Sequence, residues 1–381
     1  MEEHRRNVIV AIATINGHNL LKTITERLKC EESSDEECDQ WNYEANKFAE
    51  RVCVCGNLKR VVRIEDYVLT IHNYTRKQFR EHFRLTRKTY ENLEQILAPK
   101  LILWLLATPD SFRSVSDRFG ISKSMLHDFM RRVVASLNDL TDRFIKWPVE
   151  DRLEAVKHRF SQIGSLPDVI GAINESHIPI PAPKVHPISY RTKKKEYAIT
   201  LQAVCDADLI FTDCFIGFAG SVHDARTFRN SDLWHSVSEN EHYFFPNNEY
   251  IIGDKAYPVL SWCIAPYINR GNMTEAQNKF NHHHSKTRQV IERAFALLKG
   301  RFRRLKYLHM SCIDLIPYVI LASCVLYNIC LEGCMDDIND FICDGLEENA
   351  NNNNEENIFF DRLLNDRRGL IRREYLTNLV Q

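Results

Sequence analysis

The chain has 381 residues, of which 44% are hydrophobic and 27% are charged, and its formal net charge is −1. These are the proportions of an ordinary soluble globular protein of roughly two to three domains. The neutral total does not exclude nucleic acid, because the charge is segregated. Residues Lys286 to Lys306 include eight Lys/Arg and one acid, whereas Leu331 to Asn357 include nine Asp/Glu and no basic residue. We therefore expect a basic working face and a solvated acidic tail.

The cysteines and the apolar stretches exclude several other classes. Twelve cysteines are present, but no zinc-like or disulfide-framework spacing occurs among them, so we expect reduced thiols in an intracellular protein. The N-terminus is too acidic, and its apolar run too short, for a signal peptide. The most apolar stretch, Leu315 to Leu331, contains Pro317 and Asn328 and falls short of a membrane span. It is predicted to be a core helix.

The first 150 residues are predicted to contain a variable segment followed by helices. Residues 1–60 are poorly patterned and include the acidic linker Glu31 to Glu37, whereas residues 61–150 carry apolar residues at helical spacing. Within them, a helix ending at Gly120 is followed by a second helix with Ser122 as its N-cap, which is typical of a helix-turn-helix motif. Lys123 and Arg131, with Ser124 and His127, would face DNA from the second helix. The alternative is a plain helical hairpin whose basic residues are only solvated.

The middle of the chain is predicted to form a mixed α/β domain, residues 151–335. A first strand begins near Val169, and two apolar runs, Tyr197 to Val204 and Leu209 to Ile216, are separated by the polar turn Asp206 to Asp208. Strands followed by mixed α and β elements favour a sheet with helices on its faces. Beyond it we expect an acidic, Asn-rich linker over residues 336–357 and a C-terminal helix over residues 358–381, which packs back or binds a partner.

Three motifs in this domain suggest metal chemistry. Gly171 to Ile180 and Tyr250 to Pro258 are typical of buried strands that end in a polar residue, and Arg288 to Phe295 begins an amphipathic helix. Each motif delivers one acidic or near-acidic side chain, and metal-assisted phosphodiester cleavage needs several rigidly held oxygen ligands. The first motif, however, supplies Asn174 where an aspartate is expected.

Together with Gly220 to Leu233, Phe280 to Arg288 and Leu298 to Leu305, these motifs resemble the PIF/Harbinger-type DDE transposases and the domesticated nucleases derived from them. The resemblance extends from about Leu101 to Asn328. It implies an RNase H-like catalytic domain, preceded by the helix-turn-helix region, whose acidic residues hold Mg²⁺ or Mn²⁺. Position by position, the resemblance implies metal ligands at Asn174, Asp224, Asp254 and Glu292. Of these, Asn174, Asp254 and Glu292 would be the catalytic residues.

The chain departs from the family pattern in two motifs, and between Lys100 and Leu101 it lacks a short connecting segment that the family pattern includes. The usual Asp-Gly-Thr-His is Asn174-Glu175-Ser176-His177 here, and Leu326-Tyr327-Asn328 replaces the usual Leu-His-Asn. Because successive side chains of a strand point to opposite faces, we expect Glu175 to point away from the other acids and to replace Asn174 only if the strand register slipped by one residue. A second alternative concerns Asp224, which could be structural if Ser221 to Asp224 forms a capping box.

Basic residues near the expected site predict contact with DNA, independently of cutting. The candidates flank the catalytic glutamate, precede a strand or lie on the helix-turn-helix: Lys193, Lys194, Lys195, Arg288, Lys299, Arg301, Arg303, Arg304, Lys123 and Arg131. His282 to His284 are expected in a capping loop that approaches DNA. The resemblance also implies a Myb-like DNA-binding partner and a location in nucleus and cytoplasm. Two functions remain open: a metal-dependent DNA nuclease, and a domesticated protein that binds DNA or chromatin without cutting.

Overall fold

The structure is a computed structural model that describes residues 71–332, 338–346 and 365–380, apart from residues 72, 89, 92–99 and 311. All of these belong to one compact unit, Arg63–Gln381. The predicted segment 1–60, with its acidic linker, lies outside the described residues.

The described part of the unit up to Gly164 is helical. Its helices are α1 Arg76–Phe83, α2 Lys100–Ala107, α3 Phe112–Arg118, α4 Lys123–Asn138, α5 Thr141–Phe144 and α6 Glu150–Gly164. Helix α1 begins at a capping box in which the Thr75 hydroxyl accepts the Gln78 N–H and the Gln78 side chain accepts the Thr75 N–H. Its buried face packs Phe83 against Trp104 of α2, with ring centroids 5.4 Å apart.

Helices α3 and α4 are joined by a short turn. Gly120 has a φ of 67° there, which glycine adopts without steric cost. The Ser122 hydroxyl accepts the Met125 N–H at 3.1 Å and begins α4, which confirms the predicted cap. Lys123 and Arg131 are exposed on α4. The helix pair is therefore present, and its role as a DNA-reading motif stays a prediction.

A five-stranded mixed sheet follows, in the order β3-β2-β1-β4-β5. Its strands are β1 Val169–Pro179, β2 Ala198–Cys205, β3 Phe211–Ala219, β4 Tyr250–Ile252 and β5 Cys263–Ile264. β1 pairs antiparallel with β2 and parallel with β4, whereas β2–β3 is antiparallel and β4–β5 is parallel. The predicted mixed sheet with flanking helices is confirmed.

The hairpin between β2 and β3 forms where the apolar runs predicted it. Every residue of β2 is buried, including the polar Thr200 and Gln202, as expected of a strand covered on both faces. In the connecting turn, one carboxylate oxygen of Asp206 accepts the N–H groups of Asp208 and Ile210, and Leu209 has a φ of 70°. The polar turn is thus held by its own aspartate.

Helices cover the sheet. They are α7 Asp224–Arg229, α8 Asp232–Glu239, α9 Glu241–Phe244, α10 Glu275–Arg301, α11 Ile316–Glu332, α12 Asn339–Leu346 and α13 Arg367–Leu379. The longest is α10, with 27 residues, which begins at a Thr274–Gln277 capping box. The apolar stripe predicted on it, including Ile291, Phe295 and Leu298, is buried.

Helix α11 confirms the predicted core helix. The stretch Ile313–Glu332 is long and apolar enough to pass a test for a membrane span, but 61% of its most apolar window is buried inside the protein. Its Asn328 accepts the Phe211 N–H at 3.0 Å and donates to the carbonyls of Phe211 and Phe144 at 2.7 and 2.9 Å. The neighbouring Tyr327 donates to the Leu209 carbonyl at 2.9 Å. The second departure from the family pattern is therefore fully packed.

The predicted linker 336–357 is partly wrong, because α12 lies inside it. Phe341 and Ile342 of this helix are buried, and Gly300 of α10 lets the two backbones approach so closely that an added Cβ would lie 1.8 Å from the Phe341 carbonyl oxygen. The acidic composition concealed these apolar anchors. Helix α13 confirms the predicted C-terminal helix, and it packs back on the domain through Gly369 and Leu376.

Candidate metal and DNA site

Asp254 lies just beyond the carboxyl end of β4, as predicted. β4 runs parallel to β1 and ends with Ile252 beside Ala172, so the chain leaving it reaches the level of the first motif. Gly253 is required there, because an added Cβ would lie 2.8 Å from the Tyr257 ring. One Asp254 oxygen, Oδ1, accepts the Ala256 N–H at 2.8 Å, which fixes the carboxylate in the turn.

Asp224 is the first residue of α7, but the capping box that would have made it structural is absent. The N-cap is His223, with no side-chain cap bond, and the Ser221 hydroxyl instead donates to the Ser189 carbonyl at 2.6 Å. The alternative in which Ser221 to Asp224 forms a capping box is therefore wrong. An acid in the first turn of a helix is also favoured by the helix dipole.

The structure brings Asp224 and Asp254 together around Glu175. Burial, then the Asp224 carboxylate and more weakly Asp254, raise the pKa of Glu175 well above its usual value, although Gln202 and Thr227 offset part of the shift. The same three acids, after burial, raise the pKa of Tyr257. The expectation that Glu175 points away from the other acids is therefore wrong.

The register of the sheet explains this result. Glu175 pairs with Gln202 of β2, and Gln202 pairs with Phe215 of β3, so these side chains share one face. Gln202 Nε2 donates to Glu175 Oε1 at 3.0 Å. Glu175 Oε2 is buried and has no hydrogen-bond partner. Alternation along the strand was predicted correctly, but the acids gather on the face that Glu175 occupies.

Asn174 lies on the other face of β1, where it shares the register of Ala203 and Cys214. The Cys214 thiol lies against Cys324 of α11, so this face is covered by a helix. The Asn174 side-chain oxygen accepts the N–H of Glu175 at 2.9 Å. The role of Asn174 as a metal ligand stays a prediction, and the structure gives its amide a local backbone bond instead.

Glu292 lies on α10 in an ion pair with Arg288, one helical turn away, at 2.5 Å. Its side chain is 43% exposed, so it is reachable from solvent. The pair is the surface interaction usual for such spacing. For Glu292 to serve as a ligand, Arg288 would have to give up this carboxylate.

The acidic residues fit a divalent cation only in part. Among the described residues, no group of three His, Cys, Asp or Glu side chains is already arranged to hold a metal ion. Mg²⁺, however, is usually held by one or two carboxylates together with water and substrate phosphate, not by a complete protein cage. A cation would offset the repulsion between the neighbouring carboxylates. Asp224 and Asp254 would hold such a cation only together with water and ligands supplied by DNA.

Gln202 and Tyr257 lie beside Glu175, and neither was predicted as a site residue. The Tyr257 hydroxyl lies 3.5 Å from Gln202 Nε2, so the Gln202 amide that donates to Glu175 also contacts Tyr257. Asp213 of β3 has the same face by register, and burial, followed by Asp232, raises its pKa to about 7. A polar residue inside an otherwise apolar strand was the available signal for both Gln202 and Asp213.

The histidine triplet has a structural role in place of the expected DNA-facing loop. His282 to His284 lie within α10. His283 Nδ1 lies 2.8 Å from the Gly164 carbonyl, and His284 Nε2 lies 3.0 Å from the Ile264 carbonyl. His284 is buried, and burial lowers its pKa to about 4, which keeps it neutral. The expected capping loop is wrong because the helix began earlier than predicted.

A basic loop between β1 and β2 carries the exposed lysines predicted to contact DNA. Lys193, Lys194 and Lys195 are all exposed, and no acid occurs between Pro181 and Lys195. Ile188, at the tip of the same loop, is 82% exposed. The bond from Ser221 to the Ser189 carbonyl ties this loop to the segment that delivers Asp224.

The basic residues that follow Glu292 are divided between surface and core. Lys299 donates to the His177 carbonyl at 3.0 Å, and Arg303 pairs with Asp344 at 2.7 Å with 41% of its side chain exposed. Arg301 and Arg304 are buried. The prediction that these two contact DNA is wrong.

Packing explains the burial of both arginines. The Arg301 guanidinium lies 5.2 Å from the centre of the Phe341 ring. Arg304 donates to the backbone carbonyls of Leu105 and Asp110, and burial lowers its pKa to about 10. Partners so distant in the chain leave no mark in the local sequence.

Comparison with known proteins is consistent with this site. The DDE superfamily endonuclease family matches residues 173–328 of the chain. The match implies the RNase H-like fold for the sheet and the helices around it. This part of the chain is therefore similar to the DDE superfamily endonucleases.

Relatives in plants and animals show which proteins of this kind the chain is similar to. The chain is 29% identical over 240 residues to "Protein ALP1-like" of Arabidopsis thaliana, covering 60% of this chain and 58% of the relative. It is also 29% identical over 238 residues to "Putative nuclease HARBI1" of Mus musculus, covering 60% and 65%. The resemblance to domesticated PIF/Harbinger-type transposases is confirmed. The chain spans about three fifths of the length of these relatives, and no solved structure matches it significantly.

Proposed function

We propose that this chain is a divalent-metal-dependent DNA nuclease of transposase origin that hydrolyses phosphodiester bonds. The proposal rests on one observation above all: beside burial, the charges of Asp224, at the start of α7, and of Asp254, at the end of β4, raise the pKa of Glu175 on β1, so the three acids are neighbours. Acids of like charge repel one another, so such a cluster is costly unless a ligand repays it. The similarity to DDE superfamily endonucleases supplies the reaction class.

Asp224 and Asp254 are the residues that would hold the metal from the protein side. When bound, Mg²⁺ or Mn²⁺ would activate water and offset charge on the phosphate. Asp254 is kept in place by the Ala256 N–H, and Asp224 by the first turn of α7. Arg288 would transfer from Glu292 to a DNA phosphate, which would release the Glu292 carboxylate toward the site.

DNA would approach over the basic loop and the exposed face of α4. Lys193 to Lys195 adjoin the segment of Asp224, and Lys123 and Arg131 extend the positive surface. The helix-turn-helix role of α3 and α4, a Myb-like DNA-binding partner, and residence in nucleus and cytoplasm are parts of this proposal. They are supported by the family resemblance alone.

Nicking of supercoiled plasmid by the purified full chain tests the proposal. Nicking should appear with Mg²⁺ or Mn²⁺ and fall to background in Asp254→Asn and Glu292→Ala. Asp314→Asn, which changes an exposed acid in a turn remote in sequence from these motifs, is the matched control and should nick normally. If the unmodified chain does not nick above background in either metal, the nuclease proposal is refuted.

Binding of DNA or chromatin without cutting is the second candidate, and three observations favour it. Asn174 replaces the first family acid, Glu292 is ion-paired, and no three-ligand group occurs in the described part of the chain. One relative, 29% identical over 239 residues, bears the name "Antagonist of Like Heterochromatin Protein 1". Salt-dependent DNA binding by a chain that does not nick would support this candidate, and absence of binding at low salt would refute it.

A further inference from the structure

The basic loop between β1 and β2 also carries exposed apolar side chains. Ile188 is 82% exposed and Val185 is 68% exposed, the two largest values among the bulky hydrophobic residues of the described chain. They lie three positions apart in the sequence, and together they are called the apolar tip. An isolated apolar residue is ordinary on a protein surface, so the tip indicates a binding surface only through its setting in the loop.

The backbone that carries the apolar tip is held in place. Pro187–Tyr190 forms a turn of 3₁₀ helix, and the carbonyl of Ser189 within it accepts the Ser221 hydroxyl at 2.6 Å. Where the loop begins, the Ile180 N–H donates to the Tyr197 carbonyl at 2.9 Å. The loop also contains prolines, which restrict φ, at Pro181, Pro183 and Pro187. The apolar side chains therefore project into solvent from a preorganised backbone, which lowers the entropy lost on binding.

Positive charge surrounds the apolar tip. The exposed basic residues of the loop are Lys184, Arg191, Lys193, Lys194 and Lys195, and the only acid beside them, Glu196, follows the last lysine. Duplex DNA combines the two matching features, because its phosphates attract the cations and its stacked bases offer apolar faces. Charge complementarity therefore favours DNA as the partner of the tip.

The apolar tip adjoins the candidate site. The Ser189 carbonyl is bonded to Ser221, which lies three residues before Asp224. The other end of the connection is β1 itself, which carries Glu175 and leads directly into the loop. DNA that reaches Asp224 would therefore pass the tip.

We propose that Ile188, supported by Val185, is an apolar wedge that inserts at a base step of bound DNA beside the candidate site. Inserted apolar side chains partly unstack the step and kink the duplex, and contacts to the bent DNA offset the cost. The lysines of the loop supply such contacts by binding phosphates next to the wedge. The inference rests on the DNA binding of the proposed function, and it adds the form of DNA recognised, which is an unstacked or easily unstacked step.

Binding of two duplexes tests the wedge without cutting. The full chain is titrated, with EDTA and at low salt, into duplexes that are identical except for one unpaired central step, and anisotropy is measured. The unmodified chain should bind the unpaired duplex about 10-fold or more tightly, because its unstacking cost is already met. Ile188→Ala should bind both duplexes alike, whereas Ile188→Leu, which keeps an apolar side chain, should retain the preference.

Ile371→Ala is the matched control for this titration. Ile371 is also an exposed isoleucine, at 58%, but it lies on α13. Arg373 of that helix donates to the Ala265 carbonyl next to β5, the strand at the edge of the sheet. The control should show the preference of the unmodified chain.

Fluorescence of 2-aminopurine next to the central step of the paired duplex gives a second readout, which reports unstacking directly. At saturating protein the signal should rise with the unmodified chain and not with Ile188→Ala. Replacing Lys193 to Lys195 with glutamine should require more protein but reach the same signal, because charge determines affinity and the wedge determines unstacking.

The outcomes separate this inference from the proposed function. If the chain binds DNA with no preference and no rise in fluorescence, or if Ile188→Ala retains both, the wedge is overturned and DNA binding stands. If Ile188→Ala instead loses self-association in sedimentation and keeps the DNA preference, the tip contacts a second copy and the wedge is again overturned. If the preference depends on Ile188 but the chain never nicks, the wedge is supported and the nuclease proposal fails. If the chain binds neither duplex at low salt, both fail.

Discussion

Substituting leucine for Asn328 should strongly destabilise the fold. This residue of α11 is fully buried and makes three hydrogen bonds, two with the backbone of Phe211 on β3 and one with the Phe144 carbonyl on α5. It therefore links the helical half of the unit to the sheet. Leucine fills similar space but leaves one N–H and two carbonyl groups without partners. At about 1–3 kcal/mol for each unsatisfied group, and allowing for partial relaxation, we expect a loss of about 3–5 kcal/mol.

Denaturant unfolding of the full chain, followed by circular dichroism, measures this loss. Asn230→Leu is the matched control, because Asn230 is exposed and makes one bond, to the Arg226 carbonyl at 2.7 Å. We expect the control to lose less than about 1 kcal/mol. If Asn328→Leu costs no more than Asn230→Leu, Asn328 does not tie α11 to β3 and α5 in the way described.

Three further predictions concern pH, salt and packing. Burial lowers the pKa of His284 to about 4, against 6.5 for an unperturbed histidine, so its contribution to stability is complete above pH 6.5 and is lost as the pH falls toward 4, by about 3 kcal/mol. His284→Gln should therefore reduce the change in unfolding free energy measured between pH 6.5 and pH 4, and an unchanged pH dependence would show that His284 is not buried in its neutral form. Replacing Lys193 to Lys195 with glutamine should reduce the salt dependence of DNA binding, measured by fluorescence anisotropy, by up to about 2.7 in the log–log slope, whereas an unchanged slope would exclude phosphate contacts there. Gly300→Ala should lower the melting temperature through a loss of about 1–3 kcal/mol, since its Cβ would clash with the Phe341 carbonyl; unaltered melting would contradict the close α10–α12 contact.

Local patterns in the sequence were sufficient to predict the elements that depend on neighbouring residues. The Ser122 cap, the β2–β3 hairpin and the core helix α11 all follow from capping chemistry, turn residues or uninterrupted apolar runs. These signals act within a few residues of the chain. The structure therefore reproduces them.

The burial of residues whose partners are distant in the chain could not be predicted in the same way. Arg304 was predicted to be a surface cation, but its acceptors are the carbonyls of Leu105 in α2 and of Asp110 just after that helix, nearly two hundred positions earlier in the chain. The acidic segment after α11 concealed Phe341, which is buried against α10. Charged residues and acidic segments are therefore exposed only where no part of the fold that is distant in sequence packs against them.

The candidate site shows the same division. Asp254 and Asp224 were predicted as site residues from motifs, and in the structure the charges of both raise the pKa of Glu175. The period of two correctly placed Asn174 and Glu175 on opposite faces. The packing of the whole sheet, however, decides which face of β1 lies beside α7 and the end of β4. For that reason Glu175 was wrongly predicted to point away from Asp224 and Asp254.

Metal-dependent nicking by Asp224→Asn is the most direct test of the central claim, which is that the acids gathered on one face of β1 form a working nuclease site. The full chain and this variant are compared on supercoiled plasmid over a titration of Mn²⁺. Asp224 was open to a structural interpretation in the sequence, and in the structure it is the acid that most raises the pKa of Glu175. We predict nicking by the unmodified chain and a loss of about 100-fold or more in the variant, the size expected when an electrostatic contributor to the transition state is removed. Equal nicking by the two proteins would contradict the site, and no nicking by either would contradict the function.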